Sequence, residues 1–183
     1  NQSGKISEIG FNLYHDLLKR TVDAMRVGKK ININDPINHE VDIDTGIPCI
    51  IPDTYLGDVH ERLVLYKRIA NGKDNNELKD LTIEMIDRFG LLPDATKNLF
   101  SATQLKLSCE KIGIDKVSIY DDKAHIVFSD KINIEPIKII TLVQTQPKRY
   151  QLKGQNQLIF KQEMPDNIKR IELIESLLKT LET

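Results

Sequence analysis

Tryptophan is absent from this 183-residue chain, and aromatic residues make up only 5% of it. A nucleic-acid platform of stacked aromatics has little to be built from. An excess of one charge is also missing: 26 Lys and Arg stand against 27 Asp and Glu, a formal net charge of −1. That balance does not favour a general phosphate-tracking surface. No apolar run approaches the roughly 20 residues that span a bilayer, and no signal peptide is visible, so no membrane partner is expected. The two cysteines, Cys49 and Cys109, lie far apart in apolar contexts. Two buried free thiols in a reducing cytoplasm fit that usage better than a disulfide framework.

Signatures of common chemistries are missing too. There is no G-x-x-x-x-G-K-[ST] loop and no G-x-G-x-x-G, so no nucleotide cofactor is expected on this chain. The histidines, His15, His39, His60 and His125, show no H-x-x-x-H spacing, and no C-x-x-C occurs, so no metal is expected. His15 and Asp16 are neighbours in a helical stretch and do not face each other. Asp42 and Asp44 share one side of a strand pattern. Paired carboxylates can do acid–base work, but they also simply keep a strand face wet. Lys29-Lys30, Lys67-Arg68 and Lys148-Arg149 are short, dispersed basic pairs without interleaved aromatics. No catalytic residue is assigned, and the chain is expected not to be an enzyme.

What is there is ordinary globular material, 40% hydrophobic and 29% charged. The first residue is Asn rather than Met, which points to a piece of a longer chain or to a processed one. Asn1 to Lys5 is polar and contains a glycine, a linker signal. Helical spacing runs from Ser7 to Val27; Lys29 to Asn38 is an Asn-rich loop. Glu40 to Ile47 alternates as a half-buried strand, with Val41, Ile43, Thr45 and Ile47 on one side. Pro48 and Pro52 bracket an edge or extended connector. A helix is expected over Val59–Ala70, capped by Asp58, with Leu63, Tyr66, Lys67 and Ile69 giving an apolar side with basic shoulders. Another runs from Pro93 to Ile112. From residue 113 the character changes. Ile114–Tyr120 with Ala124–Ser129, and Tyr150–Lys153 with Gln157–Lys161, form two hairpins. Helices over Pro136–Gln144 and Asp166–Leu181 cover them. The fold class is α+β: a helix-rich lobe, 7–112, with a strand segment, then an α/β lobe, 113–183. Together they would form one two-lobed domain, 7–183.

The chain is organised around Tyr66 to Pro93. It reads as the end of one helix, the Asn71-Gly72 turn, a second helix and an abrupt stop at Gly90. Asn75 or Asn76 can cap the second helix. At about 100° per residue, Leu78, Leu81, Met85 and Phe89 make a core-facing stripe, and Glu77, Asp80, Glu84 and Asp87 fall nearly opposite. Such an acidic stripe is either a solvated face or a docking surface for a basic partner. Spacing alone does not choose between them.

Three motifs add to this. QSG-x-I-x-x-IGF-x-LY spans Gln2 to Tyr14, IP-x-x-Y-x-x-D spans Ile51 to Asp58, and YKRIA at Tyr66–Ala70 precedes E-x-x-DRFG at Glu84–Gly90 and then Leu92-Pro93. In this order they resemble the C-terminal domain of the bacterial transcription-repair coupling factors (Mfd). The resemblance implies residues 1–6 as a linker from an upstream translocase region. It implies a parent that is an ATP-driven double-stranded DNA translocase, which removes stalled RNA polymerase and recruits UvrA. ATP and magnesium would belong to its upstream motors. It further implies a regulatory domain that docks in cis on a UvrB-like N-terminal module and masks the UvrA-binding surface. The docking positions would be Glu84, Asp87 and Arg88, flanked by Glu77 and Asp80, with Arg88 also able to pair with Glu84. A DNA-binding accessory domain is the alternative.

Overall fold

The computed structural model describes residues 40–182. The expected linker, the helix over Ser7–Val27 and the loop Lys29–Asn38 lie outside the described residues. The order is β1 (Asp42–Asp44), α1 (Val59–Ala70), α2 (Asn75–Phe89), α3 (Asp94–Ile112), β2 (Ile114–Ile119), β3 (Lys123–Phe128), α4 (Pro136–Thr145), β4 (Tyr150–Lys153), β5 (Gln157–Lys161) and α5 (Asn167–Glu182). The fold is α+β. The two hairpins join through β3 and β5 into one five-stranded sheet, in the order β1-β2-β3-β5-β4.

β1 pairs parallel with β2, Asp42 opposite Lys116 and Asp44 opposite Ser118. Parallel neighbours need a long crossover, and α1, α2 and α3 supply it. On one sheet face, Val117, Ile119, Ala124, Ile126, Leu158 and Phe160 meet Leu105, Cys109 and Ile112 of α3 and Ile171, Ile174, Leu178 and Leu181 of α5 in a continuous buried core. Alternate residues of β3, namely Lys123, His125 and Val127, take the other face. Each buried aliphatic side chain contributes roughly 1.5–3 kcal/mol.

The strand expected over Glu40–Ile47 is shorter, because Gly46 (φ +65) turns the chain directly after β1. Thr45 then turns inward, its hydroxyl 3.3 Å from Cys49 Sγ. Cys49 and Cys109 are free and buried. Burial pushes their thiols up to about 11 and about 12 respectively, so both are unreactive near neutrality. In α1 the inward residues are Arg62, Leu65, Tyr66 and Ile69, whereas Leu63 and Lys67 face out. Arg62 donates to the carbonyls of Leu56 (2.6 Å) and Gly57 (3.1 Å), which rewards its burial. Pro93 is the N-cap of α3 rather than its first helical residue.

The connector between β1 and α1 is laced to its neighbours. Thr96 Oγ1 donates to Ile50 O (3.0 Å), Asn98 Nδ2 to Pro48 O (3.1 Å), and Ile51 N to Tyr66 Oη (2.6 Å). These bonds explain why polar Thr96 and Asn98 are buried on α3. The Tyr55 hydroxyl reaches Gly90 O (2.9 Å) and Met85 O (3.2 Å), closing the end of α2. Asp58 caps α1 through Glu61 N at 2.7 Å. In the motif IP-x-x-Y-x-x-D, Tyr55 and Asp58 therefore hold helix termini, while Ile51 N donates to the hydroxyl of Tyr66 within α1.

At Gly113 (φ +88), a Cβ would collide with the backbone carbonyl of Lys131. At Gly154 (φ +65), a Cβ would meet nothing within 4 Å. Gly154→Ala should cost ~1–2 kcal/mol, the left-handed penalty alone. Gly113→Ala should cost more, visible as a larger drop in the urea midpoint. Equal losses would contradict this packing.

Candidate functional site

The α1–α2 hairpin is made by a four-residue connection, 71–74. A Cβ on Gly72 would press into the Leu78 side chain at 2.6 Å, so glycine permits the close turn. Asp74 caps α2, accepting from Asn76 N (2.8 Å) and Glu77 N (2.9 Å), in place of the expected Asn75 or Asn76. Gly90 ends α2 with φ +92 and ψ −173. That is a glycine-only region, but not the left-handed helical one. Leu78, Leu81 and Met85 are buried and Phe89 is half-buried, so the expected apolar stripe faces inward.

The acidic stripe does not behave as one unit. Glu77 Oε2 accepts from Lys73 N (2.9 Å), a contact at the helix start. Glu84 takes a two-pronged bond from Arg68 of α1: Nη1 to Oε1 at 2.7 Å and Nη2 to Oε2 at 2.6 Å. Arg88 Nη1 lies 3.3 Å from the same Glu84 Oε1, and Arg88 Nη2 lies 3.3 Å from Glu61 Oε1. Arg88 also sits 4.7 Å above the Phe89 ring. Asp80 and Asp87 are exposed, and neither makes an ion pair among the described residues. The site residues therefore divide into Glu84 and Arg88, which are held in a lattice across α1 and α2, and Asp80 and Asp87, which are available.

Arg68 is the residue that sequence reasoning missed. It lies in the YKRIA motif, but its partner is across the turn, 16 positions later. The hydrogen bonds from Arg68, helped by Arg88, hold the Glu84 carboxyl down at about 2. The Glu84 side chain is still 37% exposed, so solvent screens the pair.

Two shallow grooves flank this lattice. One of about 240 Å³ has Val64, Leu65 and Phe89 in its lining and Glu61, Arg68 and Arg88 beside them. The other, about 480 Å³, is lined by Leu78 and Leu81 and carries Lys67, Asp80 and Glu84. Of these apolar side chains Val64 is exposed and Phe89 half-buried, whereas Leu65, Leu78 and Leu81 are buried.

The other candidate groups do not assemble. Asp42 pairs with Lys116 (3.2 Å) and Asp44 Oδ1 accepts from Gly46 N (3.1 Å), so both carboxylates hold the sheet edge and its turn. His60 is exposed on α1. His125 lies edge-on to Tyr120, 5.7 Å between centroids. Partial burial first, then Lys123 and Lys153, lower its pKa. Lys148 and Arg149 are exposed, and Arg149 donates to Gln162. His15, His39 and Lys29-Lys30 lie outside the described residues. Among the described residues no three His, Cys, Asp or Glu side chains come together to hold a metal ion, and no helix is long and apolar enough to cross a membrane.

The depressed pKa of Glu84 has a definite sign. The carboxyl is more acidic folded than unfolded, so its pairing stabilises the fold fully above the ordinary value of 4.5. That contribution is lost as pH falls from 4.5 towards about 2. Glu84→Gln should lower stability by ~0.2–1 kcal/mol at neutral pH, a small effect because the pair is exposed. The gap from wild type should narrow below pH 4.5. Urea titrations of both proteins across this range check it; a gap independent of pH would refute it.

A family model described as the TRCF domain matches residues 45–139. The chain is 41% identical over 180 residues to the transcription-repair-coupling factor of Haemophilus influenzae, covering 98% of this chain and 16% of that protein. Against the Escherichia coli transcription-repair-coupling factor the identity is 37% over 181 residues, covering 99% and 16%. The chain thus spans about a sixth of the length of these relatives. A crystal structure of the C-terminal domain of transcription-repair coupling factor superposes with a TM-score of 0.62 at 25% identity, covering 78% of this chain and 94% of that one. By its family match, its similarity to those relatives along nearly all of its own length and its fold, the chain belongs to the transcription-repair coupling factor family, as a C-terminal domain.

Proposed function

We propose that this chain is the non-catalytic regulatory domain of an ATP-dependent DNA translocase that couples transcription to nucleotide-excision repair. In this reading it docks in cis on a UvrB-like N-terminal module and covers the surface that binds UvrA. It is released when the parent engages stalled RNA polymerase on double-stranded DNA. The chain itself needs no cofactor; ATP and magnesium serve the upstream motors.

The observation that carries this reading is the exposed charged rim of the α1–α2 hairpin. There Arg68 and Arg88 fix Glu84 in position, beside an unpaired Asp87 and the Val64–Phe89 groove. The Glu84–Asp87–Arg88 positions occupy the outer edge of a rigid helical pair, where a partner can reach them. Glu84 is already satisfied within the domain. A basic partner therefore displaces Arg68 or shares the carboxylate, and gains less from Glu84 than from Asp87. The resulting contact is weak and salt-sensitive.

Weakness suits a tethered switch. A flexible connection supplies an effective concentration on the order of 1 mM. A dissociation constant of about 50 μM in trans then keeps the contact closed about twentyfold over open. A few kcal/mol of differential binding elsewhere is enough to open it.

The test is titration of this chain against the parent's UvrB-like module at low and high salt. Asp87→Lys is the informative variant, because Asp87 touches no charged group within the described residues, whereas Glu84→Lys would also disrupt the hairpin. Wild-type affinity should fall with salt, and Asp87→Lys should weaken it about tenfold, or ~1.4 kcal/mol. Unchanged affinity in Asp87→Lys would remove this face from the docking surface. Salt-steep binding of DNA by the isolated chain would favour the accessory DNA-binding reading instead.

A further inference from the structure

The sheet carries a second charged surface on the side away from the core. The buried residues of α3, α4 and α5 that reach the sheet all join the cluster containing Ala124, Ile126 and Leu158, on one face. The register fixes what occupies the opposite face. Lys123, His125 and Val127 of β3 stand opposite Lys161, Ile159 and Gln157 of β5, and those in turn flank Gln151 and Lys153 of β4. No outward position on these three strands is acidic. Val127 and Ile159 are half-buried near the centre, with Lys123, Lys153 and Lys161 around them.

Two features make this face costly as a mere solvated surface. Lys123 and Lys161 are directly opposite on adjacent strands, and like charges so placed destabilise a sheet. None of Lys123, Lys153 and Lys161 forms an ion pair among the described residues; Lys123 has only the Tyr120 ring, 5.8 Å away, whereas Lys116 of β2 is neutralised by Asp42. A lysine guarding an edge strand accounts for Lys153 on β4. It does not account for Lys123, which lies on the strand between β2 and β5. His125 feels this field: its pKa is lowered by burial and then by Lys123 and Lys153, with Asp122 at the hairpin turn acting against them.

We infer that the outer face of β3, β5 and β4 is a second docking surface, taking an acidic polypeptide segment with aliphatic side chains. Aliphatic Val127 and Ile159 would meet the apolar residues of that segment, and the lysines its carboxylates. Nucleic acid fits less well. Its rings, His125 and Tyr120, pack edge to face against each other, and Lys123 lies over the Tyr120 ring, so they offer no row of open ring faces for stacking bases. This surface is distinct from the α1–α2 hairpin, and its partner is independent of the hairpin's.

The probe is a short synthetic peptide of glutamate and leucine, titrated into the isotopically labelled chain. A single-stranded oligonucleotide of equal charge runs in parallel. Saturable binding should shift the amides of Lys123–Val127 and Gln157–Lys161 and raise the His125 pKa, since a nearby anion favours imidazolium. Lys123→Glu/Lys161→Glu should reduce affinity tenfold or more, and Lys123→Gln/Lys161→Gln by less. Lys79→Glu/Lys97→Glu, with the same change in net charge on other elements, should leave it unaltered. No saturable binding near mM concentration, equal loss in the Lys79/Lys97 control, or tighter binding of the oligonucleotide would each overturn the proposal.

Discussion

The parallel pairing of β1 with β2 is the constraint on which the architecture depends. A hairpin cannot join parallel neighbours, so residues 45–113 must leave the sheet and return to it. That crossover contains the connector, α1, α2 and α3. Because the C-terminal half of α3 is sealed into the core through Leu105, Cys109 and Ile112, the α1–α2 hairpin is carried by its N-terminal half and by the connector. Hydrogen bonds of Tyr55, Tyr66, Thr96 and Asn98 fix that connection, and buried Ile69, Leu78, Met85, Leu99 and Phe100 add apolar packing to it. The hairpin is thus held firmly but peripherally, which suits the docking role proposed for it.

At the hairpin the domain neutralises most of its own charge. Arg68, Glu84, Arg88 and Glu61 alternate in sign across the two helices. Screened, exposed pairs of this kind contribute little to stability individually. Their consequence is geometric: two long arginine side chains and a glutamate are held in one arrangement before any partner arrives. Preorganisation lowers the ordering cost of association. In the proposed contact it would also limit what a partner gains from Glu84, keeping that contact reversible.

Much of the fold was legible because its signals are local. Val59–Ala70, Tyr150–Lys153 and Gln157–Lys161 match their expected bounds. Asp58 supplied a cap, and the two turns separated strands of clear alternation. The misreadings have local causes too. Leu63 fits a helical apolar side almost as well as Leu65, and only the fold decides which is buried. Asp74 competes with Asn75 and Asn76 as a cap, and an aspartate at the positive end of the helix gains from the dipole as well. What could not be read was pairing at a distance. The β1–β2 and β3–β5 ladders and the Arg68–Glu84 bond join segments whose proximity is a property of the whole chain. At the candidate site the motif marked Glu84, Asp87 and Arg88. Arg68 carried no separate signal, because a basic residue near the end of a helix is already explained by the helix dipole.

The central claim is that the hairpin's charged rim holds the parent protein closed against UvrA. Its most direct test is UvrA binding by the full-length parent carrying Asp87→Lys, compared with wild type under identical salt. The account predicts more UvrA captured by the variant in the absence of polymerase and DNA. Capture equal to wild type would contradict it.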